Sequence, residues 1–303
     1  MSDIICTNCG RERSIQELDY LCPTCGGVFD YANPFEHILE SDDLDSPGIW
    51  KYRASFGLPS EVQPVSLGEG NTPLVWDEVR GKKVGFKLEY LNPTGSYKDR
   101  GTTVLVSYLL SQGVETAVED SSGNAGASFA AYASRAGIRG RVYVPESASG
   151  PKRAQIEAYG VDLVRIPGPR SNAAEAVKQE AKKGVVYASH VYQPFVLPGY
   201  ATAAYEIVEQ IGELPGAVIA PVGQGSFLLG MDRGFKSLLK AGLITSLPQM
   251  VGVQARACAP LWAIARFGKS GLDLVDEGET VAEGIRIRYP IRGDQVIDIV
   301  KNS

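Results

Sequence analysis

Histidine is nearly absent from this 303-residue chain: His37 and His190 are the only two. A three-histidine zinc centre is thereby excluded. A nucleophile triad stays open only if built on His190. An excess of positive charge is lacking too, with 30 Lys and Arg against 35 Asp and Glu and a formal charge of −5. That balance gives no electrostatic footprint for nucleic acid and no polybasic segment for an anionic membrane. Long apolar runs are missing, the stretch 217–222 falling far short of the ~18 residues a membrane span needs. The amino terminus lacks the basic, apolar and small-residue succession of a signal peptide. The expectation is a soluble, cytoplasmic protein with neither nucleic acid nor membrane as partner. Its length and 44% hydrophobic content allow a sizeable core and suggest two domains.

Glycine is abundant, at 34 residues, and it is clustered, as where backbone must approach a ligand. Cysteine is concentrated at the front. Cys6 and Cys9 form one pair, Cys22 and Cys25 another, each with two residues between. Two tight turns at this spacing can present four thiolates to one tetrahedral zinc, and Gly10, Gly26 and Gly27 suit such turns. The alternative is a pair of disulfides, which the absent secretion signal disfavours. Four cysteines leave no open coordination position, so the metal would be structural. Cys258 stands alone in an apolar stretch and reads as a small buried hydrophobe.

Residues 30–50 form an acidic arm punctuated by Pro and Gly, read as a linker with a solvated surface. From about Val84 onward, short β-branched runs alternate with helical patterns. Strands are expected at 84–88, 115–119, 141–144, 163–166, 185–188, 217–221 and 250–254. Helices are expected at 99–111, 124–136, 151–159, 172–182, 200–210, 227–240 and 260–267. This alternation predicts an α/β fold with mainly parallel sheets. Ligands of such sheets bind in the strand-to-helix loops.

Three of those loops carry chemistry. In the first, Thr94, Gly95 and Ser96 precede Lys98, which opens a helix. The helix dipole disfavours a cation there, which favours the nucleophilic amine that forms a Schiff base; by itself, a surface lysine is the plainer reading. The second runs through Asp120, Ser121, Ser122, Gly123 and Asn124. Two hydroxyls and successive N–H groups at a helix start suit a carboxylate, and they exceed what one N-cap requires. The third comprises Gly223, Gln224, Gly225 and Ser226. Its glycines permit a backbone nest for a phosphate, although a tight turn explains a lone Gly-x-Gly equally well. Together the loops specify a Schiff-base lysine, a carboxylate cradle and a phosphate cradle. Pyridoxal phosphate bound to an amino acid requires all three.

At these residues the chain resembles the fold-type II pyridoxal phosphate enzymes (the tryptophan synthase beta superfamily), and within them the threonine synthases. The run from Thr94 to Gly101 around Lys98 carries the likeness. So do the stretch from Gly68 to Leu74, the stretch from Ala282 to Ile285, and the cysteine-paired ribbon. The resemblance implies that Lys98 holds the cofactor as a Schiff base and shuttles protons. It implies that Asn124 bonds the ring hydroxyl, that Gly223, Gln224, Gly225 and Ser226 hold the cofactor phosphate, and that Glu283 and Gly284 lie beside the ring. Ser121, Ser122, Gly123 and Asn124 would hold the substrate. It further implies two open, mainly parallel sheet domains with the cofactor in the cleft between them. Their expected extents are a ribbon at 1–29, an arm at 30–50, a large domain at 51–105 and 190–303, and a small domain at 106–189.

The chain departs from the family pattern at Thr102, usually aliphatic, and in its phosphate loop, where Gly-Asn-Ala-Gly is more frequent. Relatives also continue past the position of Ser303 with a segment that brings a Ser or Thr to the pyridine nitrogen. The expectation drawn from that end is either a truncated or split form or some other element covering that side, and the chain as written is expected to bind cofactor, turn over poorly and expose a sheet edge. The activity the resemblance implies is a lyase converting O-phosphohomoserine and water to threonine and phosphate. Arg170, Ser171 and Asn172 are candidate ligands for the substrate phosphate. Rival readings are a serine/threonine dehydratase, a cysteate-synthase-like enzyme and an inactive cofactor-binding protein. The partner is a small amino-acid substrate, and the resemblance admits a homodimer.

Overall fold

A computed structural model describes residues 4–148 and 150–303 and divides into two compact units, Met1–Gly199 and Tyr200–Ser303. The first unit opens with a small antiparallel sheet. In it β1 (Ile4–Cys6) lies between β2 (Glu12–Arg13) and β3 (Phe29–Tyr31). The two cysteine turns repeat one geometry: Gly10 N–H donates to Cys6 O at 3.0 Å and Gly26 N–H to Cys22 O at 2.8 Å. Both glycines have φ near +70°, which a Cβ would oppose.

The ribbon is tied to the rest of its unit. Arg13 is buried, with its guanidinium over the rings of Phe29 and Phe195. One of its N–H groups donates to Gln193 Oε1 at 3.2 Å. Of the arm, the acidic stretch around Asp42 and Asp45 is exposed as expected. Its two ends are not, since Tyr31, Phe35, Ile49 and Trp50 are buried. A 3-10 helix, Gly48–Phe56, seats Trp50 so that its indole N–H donates to Glu69 Oε1 at 2.9 Å and Thr103 Oγ1 at 3.1 Å. A buried indole requires such a partner, and one carboxylate turned inward converts solvated chain into core.

A hairpin follows, β4 (Leu74–Val79) with β5 (Lys82–Lys87). Only part of it is legible as a strand from composition. Its two-residue turn is Arg80 and Gly81, with φ of 52° and 75°. Both lie in the left-handed region that type I′ hairpins demand, where Asn or Asp is the usual first residue.

After α1 (Lys98–Ser111) the chain winds a parallel sheet. Its strands are β6 (Thr116–Glu119), β7 (Arg139–Pro145), β8 (Asp162–Ile166) and β9 (Val186–Tyr187), in spatial order β8-β7-β6-β9. The crossovers are α2 (Asn124–Ala136), α3 (Gly150–Ala158) and α4 (Arg170–Lys182). Buried Ala125, Ala127, Ala130, Ala131 and Ala133 give α2 a thin face, and Gly126 brings it closer still. A Cβ on Gly126 would stand 1.8 Å from Ser121 O, so this turn requires glycine. The helix α5 (Val196–Ile211) runs on into the second unit. That unit pairs β10 (Ala217–Pro221) in parallel with β11 (Gln249–Val253). Between and after them come α6 (Ser226–Lys240), α7 (Pro260–Phe267) and α8 (Gly293–Asn302). The last of these lies outside the helices expected from the sequence pattern. Cys258 is buried against Ala263 and Val275 as a small hydrophobe. Among the described residues no helix is long and apolar enough to cross a membrane.

Candidate active site

On the first unit, Lys98 is the first residue of α1 and is half-buried, with its Nζ 4.7 Å from the centre of the Tyr97 ring. The turn before it is held by its neighbour Asp99, fully buried. That carboxylate accepts the Thr94 N–H at 2.7 Å, the Thr94 hydroxyl at 2.6 Å and the Ser128 hydroxyl at 2.6 Å. Burial pushes the Asp99 carboxyl above its usual range, against the pull of those donors. Since Ser128 lies on α2, Asp99 ties the Lys98 turn to the helix that Asn124 opens. Arg100 is wholly buried and forms a two-pronged pair with Glu89 at 2.7 and 2.8 Å. Removing one partner of a buried pair of this kind costs about 3–5 kcal/mol. Glu69 anchors the same region, accepting from Tyr132 at 2.6 Å and from Leu67 N–H at 2.9 Å besides Trp50.

Ser121, Ser122 and Gly123 form the loop between β6 and α2, and Asn124 is the first residue of that helix. The Gly123 N–H donates to Ser121 Oγ at 3.3 Å, and Asn124 Oδ1 accepts from Lys152 Nζ at 2.7 Å. Behind the loop lies a polar cluster the sequence did not disclose. Tyr187 OH donates to Asp120 Oδ1 at 2.6 Å, and His190 Nδ1 sits 2.7 Å from Glu119 Oε1. Burial pushes Glu119 well above the carboxylate range, and Asp120 adds to this against Lys98 and Arg170. Burial also pulls His190 well below its ordinary value, aided by the positive charges of Lys98 and Arg170. Both shifts favour a neutral pair sharing one proton. No triad is built on His190 among the described residues: its ring bonds Glu119 but no hydroxyl or thiol, and the neighbouring Ser189 hydroxyl accepts from the Val191 and Tyr192 N–H groups instead. Only the scarcity of histidine marked His190 in advance, and nothing marked Glu119.

A stability test follows from this pair. A carboxyl raised in the folded state stabilises fully below its ordinary value of 4.5, and that contribution is lost as pH rises through the folded value. His190 acts in the opposite sense. Its contribution is present above 6.5 and is lost as pH falls through its depressed value. Glu119→Gln removes the first ionisation while keeping a polar partner for His190. The difference in Tm between the variant and the parent should therefore grow in the variant's favour as pH rises above 4.5. A constant difference in thermal melts across that range would show that Glu119 does not titrate as described.

On the second unit, Gly225 caps α6 with φ +85° and Ser226 is its first residue. The Ser226 hydroxyl is buried and has no hydrogen-bond partner among the described residues. A Cβ on Gly223 would stand 3.0 Å from Ile285 Cα and 3.5 Å from Gly284 O, so the loop and the Glu283–Ile285 turn lie against each other. The side chain of Gln224 is engaged elsewhere, accepting the Ile291 N–H at 3.0 Å. The loop thus offers a left-handed glycine, a helix start and an unpaired buried hydroxyl. Buried polar groups are rarely left unpaired, and the donor set fits a phosphate.

The sulfurs of Cys6, Cys9, Cys22 and Cys25 all lie within 4.8 Å of one another. Separations of 3.5 Å for Cys6–Cys25 and 3.7 Å for Cys9–Cys22 are too long for disulfides. The anion candidates Arg170, Ser171 and Asn172 fall within the first turn of α4 and not in the loop before it. Arg170 is the first residue of the helix, while the Asn172 amide turns back to donate to Pro167 O at 2.9 Å.

A model of the family described as pyridoxal-phosphate dependent enzyme matches residues 65–303. The chain is 35% identical over 313 aligned residues to threonine synthase of Methanocaldococcus jannaschii, covering 98% of this chain and 76% of that protein. It is 32% identical over 314 to threonine synthase of Methanosarcina acetivorans, covering 100% and 77%. Among solved structures, a T.th. threonine deaminase superposes with a TM-score of 0.62 at 27% identity, covering 74% of each chain. Serine racemase from Dictyostelium discoideum gives 0.61 at 25% identity, covering 74% of this chain and 72% of that one. The chain belongs to the fold-type II pyridoxal-phosphate dependent enzymes, among their threonine synthase-like members.

Proposed function

We propose that this protein is a threonine synthase, converting O-phosphohomoserine and water to threonine and inorganic phosphate. Bound pyridoxal phosphate supplies an electron sink for charge developing at the substrate's Cα. Lys98 holds the cofactor covalently and moves the proton at Cα, from a turn fixed by Asp99. Asn124 meets the ring oxygen. Gly223, Gly225 and Ser226 hold the cofactor phosphate through backbone N–H groups and the spare hydroxyl, and Glu283 and Gly284 flank the ring. The N–H groups and hydroxyls of Ser121, Ser122 and Gly123 bind the substrate carboxylate. Arg170 supplies charge for the substrate's own phosphate. The observation that carries this reading is Asp99, which binds the lysine turn and the helix of Asn124 into one assembly.

Purified protein given O-phosphohomoserine should release phosphate and threonine in equal amounts. The likeness to the solved structure of threonine deaminase favours a second reading, a serine/threonine dehydratase. Oxoacid formation from serine or threonine, without phosphate release from O-phosphohomoserine, would establish that reading instead. The protein acts in the cytoplasm on a small amino acid, alone or as a homodimer.

The four cysteines hold a structural zinc. A Zn–S bond of about 2.3 Å sets tetrahedral sulfurs about 3.8 Å apart, close to the separations present. Zinc contributes on the order of 10–16 kcal/mol to folding small ribbons. Cys22→Ser should lose the single equivalent of metal and the order of the ribbon while cofactor binding stays measurable. Substrate affinity should suffer first, because Tyr20 packs edge-on against Tyr187 at 5.0 Å and Tyr192 at 5.3 Å, and Tyr187 holds Asp120. Loss of cofactor in step with metal, followed by metal analysis and absorption, would contradict a purely structural zinc.

A further inference from the structure

Lys152 lies in the first turn of α3, where the helix dipole opposes a cation by ~0.3–1 kcal/mol. The helix therefore gains nothing from a lysine at this position. Its Nζ donates to Asn124 Oδ1 at 2.7 Å and to Gln155 Oε1 at 3.3 Å. One turn on, Gln155 Nε2 donates to Thr94 O at 3.0 Å, in the turn that presents Lys98. The start of α3 is thus fastened to both loops that the proposed function places at the cofactor.

The chemistry of the contact decides the orientation of the amide. An ammonium group has three donors and no acceptor. The Asn124 atom 2.7 Å from it must therefore be the carbonyl oxygen, although the two ends of an amide are otherwise hard to tell apart. With Oδ1 held on the side of Lys152, the NH2 group is the end of the Asn124 amide turned away from the lysine, and that group has no partner among the described residues. An NH2 group stabilises an anionic oxygen. The opposite orientation would require the ligand oxygen to carry a proton.

We propose that Lys152 is a positioning residue that turns the Asn124 amide so that its NH2 group faces the ring oxygen of pyridoxal phosphate and holds that oxygen as an anion. The proposal rests on the assignment of Asn124 to the cofactor. Lys152 acts through Asn124 and makes no contact with reacting atoms, so its signature is spectroscopic.

The test uses the cofactor-loaded protein and reads its absorption spectrum together with the affinity for added pyridoxal phosphate. Lys152→Met, similar in length and without charge, should move intensity from the visible band of the lysine-bound cofactor to shorter wavelength. It should also weaken cofactor binding about tenfold, the range of one charge-assisted hydrogen bond. Lys152→Arg, which keeps donors at that end, should restore the parent spectrum. Asn124→Ala should show the spectral change by itself, and adding Lys152→Met to it should change nothing further. Additive effects in that double variant would overturn the proposal, because Lys152 would then act independently of Asn124. A parent-like spectrum for Lys152→Met beside a changed one for Asn124→Ala overturns it as well, while the assignment of Asn124 survives. Parent-like spectra for both variants would remove that assignment and the proposal with it. Lys152→Ala serves as the second variant, read in the same way, should Lys152→Met fold poorly.

Discussion

Lys98→Ala is expected to abolish the visible absorption of the lysine-bound cofactor and to remove turnover, while thermal melting of the cofactor-free protein changes little. The last expectation follows from local structure. Lys98 is half-buried at the first position of α1, and the turn around it is set by its neighbours: Asp99 through Thr94 and Ser128, and Arg100 through Glu89. None of those contacts uses the lysine side chain, and alanine is at least as good a helix former. The chemical expectation is of another size. Loss of a positioned proton-transfer group alone costs on the order of 10²–10⁴-fold, and loss of the covalent anchor comes on top. The other lysine at a helix start nearby is Lys152, whose ammonium is held on Asn124 Oδ1. Lys152→Met should shift the band, whereas Lys98→Ala should remove it. A full visible band in purified Lys98→Ala would mean that a different lysine carries the cofactor.

The contrast between these two lysines marks where sequence reading stops. Lys98 was legible because Thr94, Gly95 and Ser96 precede it in an unusual turn, next to a predicted helix. Lys152 was not, since it lies among ordinary helical residues and acquires meaning only when α3 packs beside α2 and its Nζ meets Asn124. The same holds for Glu119 and His190, 71 positions apart and joined only because β6 and β9 are neighbours in the sheet. The alternation of β-branched runs and helices did locate the parallel strands, because a crossover fold writes its period directly into the chain. The 3-10 segment at Trp50 escaped because one buried carboxylate, Glu69, organises it. The hairpin was legible only at 84–88, because Arg80 stands where Asn or Asp would have announced a turn. Local pattern reports elements and loops, whereas pairings between distant polar groups depend on packing that no window of sequence contains.

The phosphate loop permits the sharpest separation of ligand role from fold role, through two adjacent residues. Gly225 serves both. Its φ of +85° disfavours any side chain, and a Cβ there would stand 2.3 Å from Val296 Cγ2 on α8. Gly225→Val should therefore lose cofactor affinity and destabilise the fold together, so a weakened variant proves little about the phosphate. Ser226 is different. Its hydroxyl is buried and lacks a partner within the described protein, and leaving such a group unpaired costs about 1–3 kcal/mol. Ser226→Ala removes that penalty, so the cofactor-free protein should melt at the parent temperature or above it. A hydrogen bond to a charged phosphate is worth about 1.5–3 kcal/mol. The same substitution should then weaken pyridoxal phosphate binding by roughly 10- to 150-fold. Opposite signs in one variant are hard to obtain from a residue that merely fills space, because a packing role would lower both quantities. Calorimetric melts of the cofactor-free protein, set beside a titration with pyridoxal phosphate, decide the matter. Unchanged cofactor affinity in Ser226→Ala would show that the loop between β10 and α6 does not hold the phosphate.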